Sequence, residues 1–414
     1  MRTKNKYKAQ KVNTLDFVAL KNQFANKPLV FAIDVAKKEQ FALLTDTQHE
    51  HAVLMHWDLL EDTSPLIQQL KAMGNQIDVV MESTGTYGDA LKYQCRQAGF
   101  AVFQAHAKRV HDLREVYDGV PSLHDAKAAW LIARLHKEGG TLPWNEPTAE
   151  ARELAAQTKL YDVFDQQHRA NLNRLEALLS RHWPEVLRIV DLDSVSLEQL
   201  IKTYGSPQNI RVHLDEARAL IQRVSKDKLS KDKIDAIMAA AQTTLGERAT
   251  AMESQCLQGL ATEIERNRVE KMSLKKAVEK TISADETLGL MSGLVGKLTL
   301  AVLLGANLDP RNYDNARSYQ KAFGLNLTEK SSGQLKGRLH LSKRGSSIAR
   351  RYLYFAAMRL IIGGKSHIAK WYVQQTETKT CMKTLIALMR KIPLALWHVG
   401  QGEVFQAEKL LKLA

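Results

Sequence analysis

The chain has 414 residues, and 44% of them are hydrophobic, which is enough for packed cores and excludes a disordered protein. A net charge of +14 indicates a polyanionic partner, because neutralising phosphates releases counterions. Three scattered cysteines exclude a disulfide framework or a zinc site. The basic N-terminus precedes no apolar leader, and no apolar run of about 18 residues occurs, so we expect a cytoplasmic protein without membrane spans.

Changes in charge and in the hydrophobic pattern along the chain predict four segments. Residues 1–27 form a basic extension, and residues 28–147 mix strands with helices. Residues 148–284 are helical throughout, and residues 285–414 form a second domain that is mostly helical. We therefore expect an α/β unit joined to an α-helical part.

Two apolar strands of the α/β segment each end on a carboxylate. Pro28–Ala36 (PLVFAIDVA) carries Asp34, and Asp78–Ser83 (DVVMES) carries Glu82. Carboxylates that converge at neighbouring strand ends are suited to Mg²⁺, which prefers oxygen ligands. A strand also ends on a polar residue simply where it reaches solvent, and this alternative stays open.

The order of elements in residues 28–145 also suggests a fold. Five short runs are rich in apolar and β-branched residues, namely FAIDVA, FALLTD, AVLMHWDL, DVVMES and AVFQAHA. Three strands come in succession, and helical patterns then alternate with the last two strands. This is the order of a ribonuclease-H-like domain.

The helical segment predicts a long arm. Residues 148–183 read as one helix, a helical insert follows, and Ala249–Ile282 has no proline and a narrow apolar stripe. This second helix is either a coiled-coil-like arm or part of an ordinary bundle. Because its stripe is narrow, it should pair with the first long helix or with another subunit.

The C-terminal segment begins with Met291–Gly296 (MSGLVG), where Gly293 and Gly296 are spaced for a helix-hairpin-helix or a simple helix–helix turn. Between Lys330 and Lys391 there are fourteen Lys or Arg and one acid, Glu377. Aromatic residues are interleaved with these cations, and this combination favours a nucleic-acid groove. They are Tyr352, Tyr354, Trp371 and Tyr372.

Two serines lie inside this basic segment. Lys330-Ser331-Ser332-Gly333 precedes a run of cations that would bind phosphates. A serine hydroxyl among arginines can attack a phosphodiester if a base or metal takes its proton, although such serines are also ordinary in linkers. The candidate nucleic-acid-binding residues are Lys336, Arg338, Lys343, Arg344, Arg350 and Arg351.

Four ordered motifs resemble the DEDD insertion-sequence transposases, the Piv-invertase-like IS110 family. They are FAIDVAKK, MESTGTYGDAL, PSLHDAKAAWLIARLHKEG, and SSGQLKGRLHLSKRG followed by ARRYLYFAAMR. The resemblance implies a RuvC-like (ribonuclease-H-like) domain that binds Mg²⁺ through four acids, and a serine that becomes joined to DNA. It also implies a structured noncoding bridge RNA that pairs with donor and target DNA, and a dimer that forms a tetramer on DNA.

Carried onto this chain, the resemblance makes Asp34 the first acid and Glu82 the second. The family's last two acids stand three apart before an apolar helix. Asp125 then takes the third position with Ala128 in the fourth. The other register, with Asp125 as the fourth acid and Ser122 in the third position, fits the helix that follows less well. One acid is missing in either register, as in a natural inactive homologue or an aspartate replaced to trap a complex.

The nucleophile implied by the resemblance is Ser332 or Ser331, with Ser332 favoured by the Ser-Gly dipeptide. The two functional hypotheses are an RNA-guided serine recombinase that uses Mg²⁺ and a non-catalytic nucleic-acid-binding relative. A plain metal nuclease is disfavoured, because it needs a complete acid cluster and no serine domain.

Overall fold

The computed structural model of the chain describes residues 7–82, 85–226, 228–329, 337, 339–362 and 366–413. The chain divides into two compact units, Met1–Pro147 and Thr148–Ala414.

Within residues 28–145 the first unit contains the predicted strands and helices in the predicted order, with one further short helix after the fifth predicted strand. Residues 10–23, which the sequence analysis treated as part of a basic extension, add a strand and two short helices. Its strands are β1 (Gln10–Lys11), β2 (Leu29–Asp34), β3 (Glu39–Asp46), β4 (Ala52–Asp58), β5 (Ile77–Glu82), β6 (Ala101–Ala105) and β7 (Leu142–Pro143). Its α-helices are α1 (Phe17–Gln23), α2 (Thr63–Met73), α3 (Asp89–Gln97), α4 (Ala107–Asp112) and α5 (Asp125–Lys137), and a short 3-10 helix spans Val12–Thr14.

These strands form one sheet in the order β1-β4-β3-β2-β5-β6-β7. Strands β2, β3 and β4 are antiparallel neighbours, whereas β5 and β6 run parallel to β2. Parallel neighbours need crossover connections, which α2 and α3 provide. This mixed sheet is consistent with the predicted ribonuclease-H-like domain.

Helices cover both faces of the central strands. Phe31 and Ile33 point into one core together with residues of α2 and α3, and Val30 and Ala32 point into the other with residues of α5. Alternate side chains of a strand face opposite sides, so a strand buried on both faces must be apolar throughout. This explains why β2 is apolar up to its last residue, Asp34.

The second unit is mostly helical. Its helices are α6 (Ala149–His182), α7 (Val186–Ile189), α8 (Val195–Tyr204), α9 (Pro207–Val212), α10 (Leu214–Ser225), α11 (Lys231–Thr243), α12 (Ala251–Ser283), α13 (Glu286–Val295), α14 (Lys297–Gly305), α15 (Ala316–Ala322), α16 (Ser347–Ile361), α17 (His367–Thr376), α18 (Cys381–Gly400) and α19 (Ala407–Leu410). Strands β8 (Leu327–Thr328) and β9 (His340–Leu341) form an antiparallel pair, and a 3-10 helix spans Pro310–Asn312.

The two long helices, α6 and α12, pack against each other within the chain. Arg181 near the end of α6 pairs with Glu253 near the start of α12 at 3.2 Å. Asp165 pairs with Lys271 at 2.7 Å, so the helices are antiparallel. The predicted pairing of the two segments therefore occurs inside one chain. The coiled-coil character of the arm stays a prediction.

Helices α13, α14, α16 and α18 enclose the C-terminal core, which contains Leu300, Leu353 and Leu388. One feature differs from the sequence prediction. Gly293 lies within α13, and only Gly296 forms the turn between α13 and α14. Gly293 does not interrupt the helix because the backbone hydrogen bonds of α13 continue past it.

No single helix among the described residues is long and apolar enough to cross a membrane. The bent pair Glu286–Val295 and Lys297–Asn312, which meets at 110°, passes that test of length and composition only when taken together.

Candidate active site

Asp34 and Glu82 end two adjacent parallel strands. Strands β2 and β5 are paired as far as Ile33 opposite Met81, which places the next residues, Asp34 and Glu82, side by side. Both side chains are half-buried at this edge of the sheet. The structure thus brings together the two carboxylates that the strand pattern singled out.

Asp125 is the first residue of α5, which packs against β2. The segment before this helix is held in place by Lys127, whose buried Nζ donates to Asp118 Oδ1 at 2.8 Å and to the Val120 carbonyl at 2.7 Å. The His124 Nδ1 accepts a hydrogen bond from the Lys127 N–H at 3.2 Å and caps the helix. These contacts fix the point at which Asp125 enters the site.

The three acids share one electrostatic environment. Burial, as the largest cause, and the neighbouring charges of Glu82 and Asp125 together raise the pKa of Asp34 from 3.8 to about 7. Burial also raises the pKa of Glu82, while His106 opposes that shift. Carboxylates held close together resist ionisation unless a cation joins them. The site is therefore built to receive positive charge.

His106 belongs to this site, and the sequence reasoning missed it. It directly follows β6, the next parallel strand beyond β5, and it caps α4 by accepting from the Lys108 N–H at 3.2 Å. The signal was present in the sequence, because a polar residue after a third parallel strand reaches the same sheet edge as Asp34 and Glu82.

Ala128 lies one helical turn beyond Asp125, and its side chain is buried. Its neighbour Ala129 packs into the core beneath the sheet, whereas Ala128 lies outside that cluster. Ser122, the alternative position, is exposed, and its carbonyl accepts a hydrogen bond from Lys127 at 3.0 Å. Neither position supplies a carboxylate, so the set described here contains three acids.

The donor chemistry of the three acids fits Mg²⁺, which takes carboxylate oxygens. Their ligand atoms are less tightly grouped than a single ion with three direct carboxylate ligands would require. Among the described residues, the three residues whose ligand atoms all lie within 4.8 Å of one another are instead Asp46, Glu50 and His51. Mg²⁺ usually keeps several waters and uses one or two carboxylates together with substrate phosphates, so this looser set still suits it.

The cluster of Asp46, Glu50 and His51 has a different role. Asp46 pairs with Leu29 at the start of β2, at the opposite end of that strand from Asp34. Burial raises the pKa of Asp46, but hydrogen bonds from Glu50, His51 and Lys27 outweigh it and hold the value at about 2. Lys27 Nζ lies 3.4 Å from its carboxylate. The cluster therefore already has a cation, and it stabilises the β3–β4 turn.

Ser331, Ser332, Lys336 and Arg338 lie outside the described residues. The flanking chain is tightly organised. Strands β8 and β9 pair on either side, and Lys343 adopts a positive φ of 53°. A Cβ on Gly345 would lie 2.2 Å from the Ala322 carbonyl oxygen, so only glycine fits there.

The predicted cations in the described part of the basic segment fall into two groups. Lys343 and Arg344 are exposed. Arg350 donates to the carbonyls of Phe323 and Gly345, and Arg351 pairs with Asp162, so both have contacts within the protein.

Two of the four interleaved aromatic residues are part of the core rather than the surface. Tyr352 and Trp371 are each only 6% exposed. They cannot stack on a base without leaving the core, so the other aromatic residues are the candidates for nucleic-acid contact.

Comparisons with known proteins cover both units. A DEDD-type IS110 model described as "Transposase" matches residues 31–184, and the model "Transposase IS116/IS110/IS902 family" matches residues 290–372. No curated protein matches the chain. Among solved structures, T. thermophilus RuvC in complex with a Holliday junction substrate matches at 12% identity, covering 28% of this chain and 99% of that one, with a TM-score of 0.20.

That structural likeness is too weak to carry an argument, and the strand order is the evidence for the fold. The two family matches together span more than half of the chain, and they enclose Asp34, Glu82 and Asp125 as well as the serine segment. With strand-end acids in the first matched region and a basic helical domain in the second, this chain belongs to the IS110 family of DEDD transposases.

Proposed function

We propose that this chain is a DNA transposase that cleaves and rejoins strands with a serine nucleophile, an acidic Mg²⁺ site and a guide RNA. The observation that carries the proposal is the placement of Asp34 beside Glu82, with Asp125 close enough to raise the pKa of Asp34. Carboxylates that lie so close together that their pKa values are raised are typical of sites that act on phosphates through a cation.

Asp34, Glu82 and Asp125 would hold Mg²⁺, which when bound neutralises charge on the phosphate oxygens. The nucleophile is Ser332 or Ser331. Its Oγ forms a bond to phosphorus, its proton leaves to a base, and the bond from phosphorus to a deoxyribose oxygen breaks. In the second step a hydroxyl of the other strand attacks phosphorus and releases the serine, so no external energy source is needed.

The proposed partners are donor and target DNA, a structured noncoding RNA and further copies of this chain. The net charge of +14 supports a polyanionic partner. The exposed Lys343 and Arg344, next to the serine segment, support contacts to the phosphates that flank the reacting one. The RNA and the assembly as a dimer, or as a tetramer on DNA, rest on the family resemblance.

The test is formation of a covalent protein–DNA adduct. The chain is incubated with Mg²⁺, the RNA that copurifies with it and labelled DNA from its own flanks, and it is then run on a denaturing gel. Ser332→Ala should abolish the adduct and leave RNA and DNA binding unchanged, because one hydroxyl adds little to a binding surface dominated by cations. Ser347→Ala, on the exposed start of α16, is the matched control.

If Ser331→Ala removes the adduct and Ser332→Ala does not, the nucleophile is Ser331. Normal cleavage by both variants would contradict the serine mechanism.

A second function is favoured by Ala128. With one acid position lacking a carboxylate, the chain would serve as a non-catalytic nucleic-acid-binding relative. This alternative predicts that neither the chain nor its Ala128→Asp variant forms an adduct while both bind DNA and RNA.

A further inference from the structure

The turn between α13 and α14 brings a fixed cation to the surface of the second unit. Gly296 has a φ of +88°, and a Cβ there would lie 3.1 Å from Arg359 Nη1. Arg359, on α16, donates from Nη2 to the Leu294 carbonyl at 2.8 Å. The guanidinium is thus held beside the turn by one hydrogen bond, and its other N–H groups can bind an anion.

A groove of about 290 Å³ opens beside this turn, between α12, α14 and α16. Lys275, Lys297 and Arg359 line it together with a single acid, Glu279. The Lys275 Nζ lies 3.9 Å from Glu279 Oε1, a separation that in an exposed pair contributes little and leaves the lysine able to bind elsewhere. The groove is therefore cationic.

An exposed aromatic ring lines the same groove. Phe355 is 40% exposed, whereas the other large apolar side chains of α16 are buried or half-buried. Its ring meets those of Tyr352 and Tyr354 at 5.9 Å between centroids, which fixes its position. A firmly held ring on a cationic surface offers a flat face for stacking next to charges for phosphates.

We propose that this groove binds an unpaired DNA strand, with phosphates against Lys297 and Arg359 and a base stacked on Phe355. A duplex keeps its bases stacked on one another and exposes phosphates, sugars and base edges but no free base face, so Phe355 would have no stacking partner there. The proposal deepens the proposed function, since strand exchange must release an unpaired strand. It also extends the nucleic-acid surface beyond the basic segment, because Lys275 and Lys297 lie outside residues 330–391.

The experiment measures binding of the full chain to a labelled single-stranded DNA of about eight nucleotides, a typical length for such a groove. Duplex DNA and single-stranded RNA of the same sequence are measured in parallel, and a chelator removes divalent ions. Because no cleavage occurs in this assay, its outcome does not depend on the serine mechanism. A chain that forms no covalent adduct can still bind single-stranded DNA in the groove, and a chain that does not bind it there can still form the adduct.

Phe355→Ala should weaken binding to single-stranded DNA about tenfold, because stacking on an aromatic side chain is lost. Duplex binding should be unchanged. The control Leu290→Ala removes an apolar side chain that is 62% exposed and lies outside the groove, and it should leave both affinities unchanged.

Lys297→Gln is a second, independent variant at an exposed site. It should reduce the slope of log affinity against log salt by about 0.7 for single strands, as expected when one phosphate contact is lost. Lys228→Gln, an exposed charge-matched control in the helical insert, should leave the slope unchanged. The proposal is wrong if Phe355→Ala and Lys297→Gln behave like their controls, or if only RNA binding falls.

Discussion

Replacing Asp34 by asparagine should stabilise the metal-free protein, and the effect should grow with pH. In the unfolded chain this carboxyl has its ordinary pKa of 3.8, whereas in the folded protein burial, Glu82 and Asp125 raise it to about 7. Between these values the native state keeps a proton that the unfolded chain has released. Stability therefore falls as pH rises through this window, and the full penalty persists above pH 7.

The size of the effect follows from the shift. A change of about 3 pKa units corresponds to about 4 kcal/mol, and partial exposure of the Asp34 carboxylate reduces this to about 2 kcal/mol. Asp34→Asn should recover that amount at pH 8 and less than about 1 kcal/mol at pH 5, where most of the penalty has not yet developed.

Hydrogen–deuterium exchange of peptides covering β2 and β5 measures the change in stability locally. A local measurement is preferable because a chain of two units need not unfold in a single step. Comparing the variant with the parent at each pH cancels the intrinsic exchange rate. Exchange in these peptides should be about thirtyfold slower in Asp34→Asn at pH 8. Glu61→Gln, an exposed acid in the same unit, should change stability by less than about 0.5 kcal/mol.

Mg²⁺ should reverse the order of stability of the parent and the variant at pH 8. At a hundred times its dissociation constant, Mg²⁺ stabilises the parent by about 2.7 kcal/mol, which exceeds the penalty of about 2 kcal/mol, and it stabilises the variant by much less because asparagine supplies no charge. Equal exchange in the two proteins at pH 8, or the same response to Mg²⁺, would refute the reasoning that these acids form one cation site.

Ala128→Asp should increase recombination in Mg²⁺ by adding a carboxylate one turn from Asp125, as measured by product formation on flanking DNA. The matched control Ala129→Asp places its charge in the core instead. It should lower the free energy of unfolding of this unit by about 3 kcal/mol or more and should not increase activity. Gly345→Ala should lower the melting temperature of the protein, because the new methyl group would collide with the Ala322 carbonyl oxygen at a cost of about 2 kcal/mol or more. Gly293→Ala, inside α13 with open space around its Cβ position, should instead raise stability by about 0.5–1 kcal/mol.

The five longer strands of the first unit, β2 to β6, and two of its site residues could be predicted from the sequence alone. Strands β2 and β5 are buried on both faces, so their sequences are apolar throughout and their terminal Asp34 and Glu82 stand out. Patterns of this kind are local in the chain, and a local pattern is sufficient to predict a strand and where it ends.

Tertiary packing determines which further residues approach these two acids. The family resemblance implied Asp125, and the sequence analysis did not single out His106; the approach of both to Asp34 and Glu82 depends on how α5 and α4 pack at the sheet edge. The same holds for the basic segment, where Tyr352 and Trp371 proved to be core residues and Phe355 the exposed ring. Charge and aromatic content are properties of composition, whereas exposure depends on which face of a helix meets the core, and that is settled only when the helices pack.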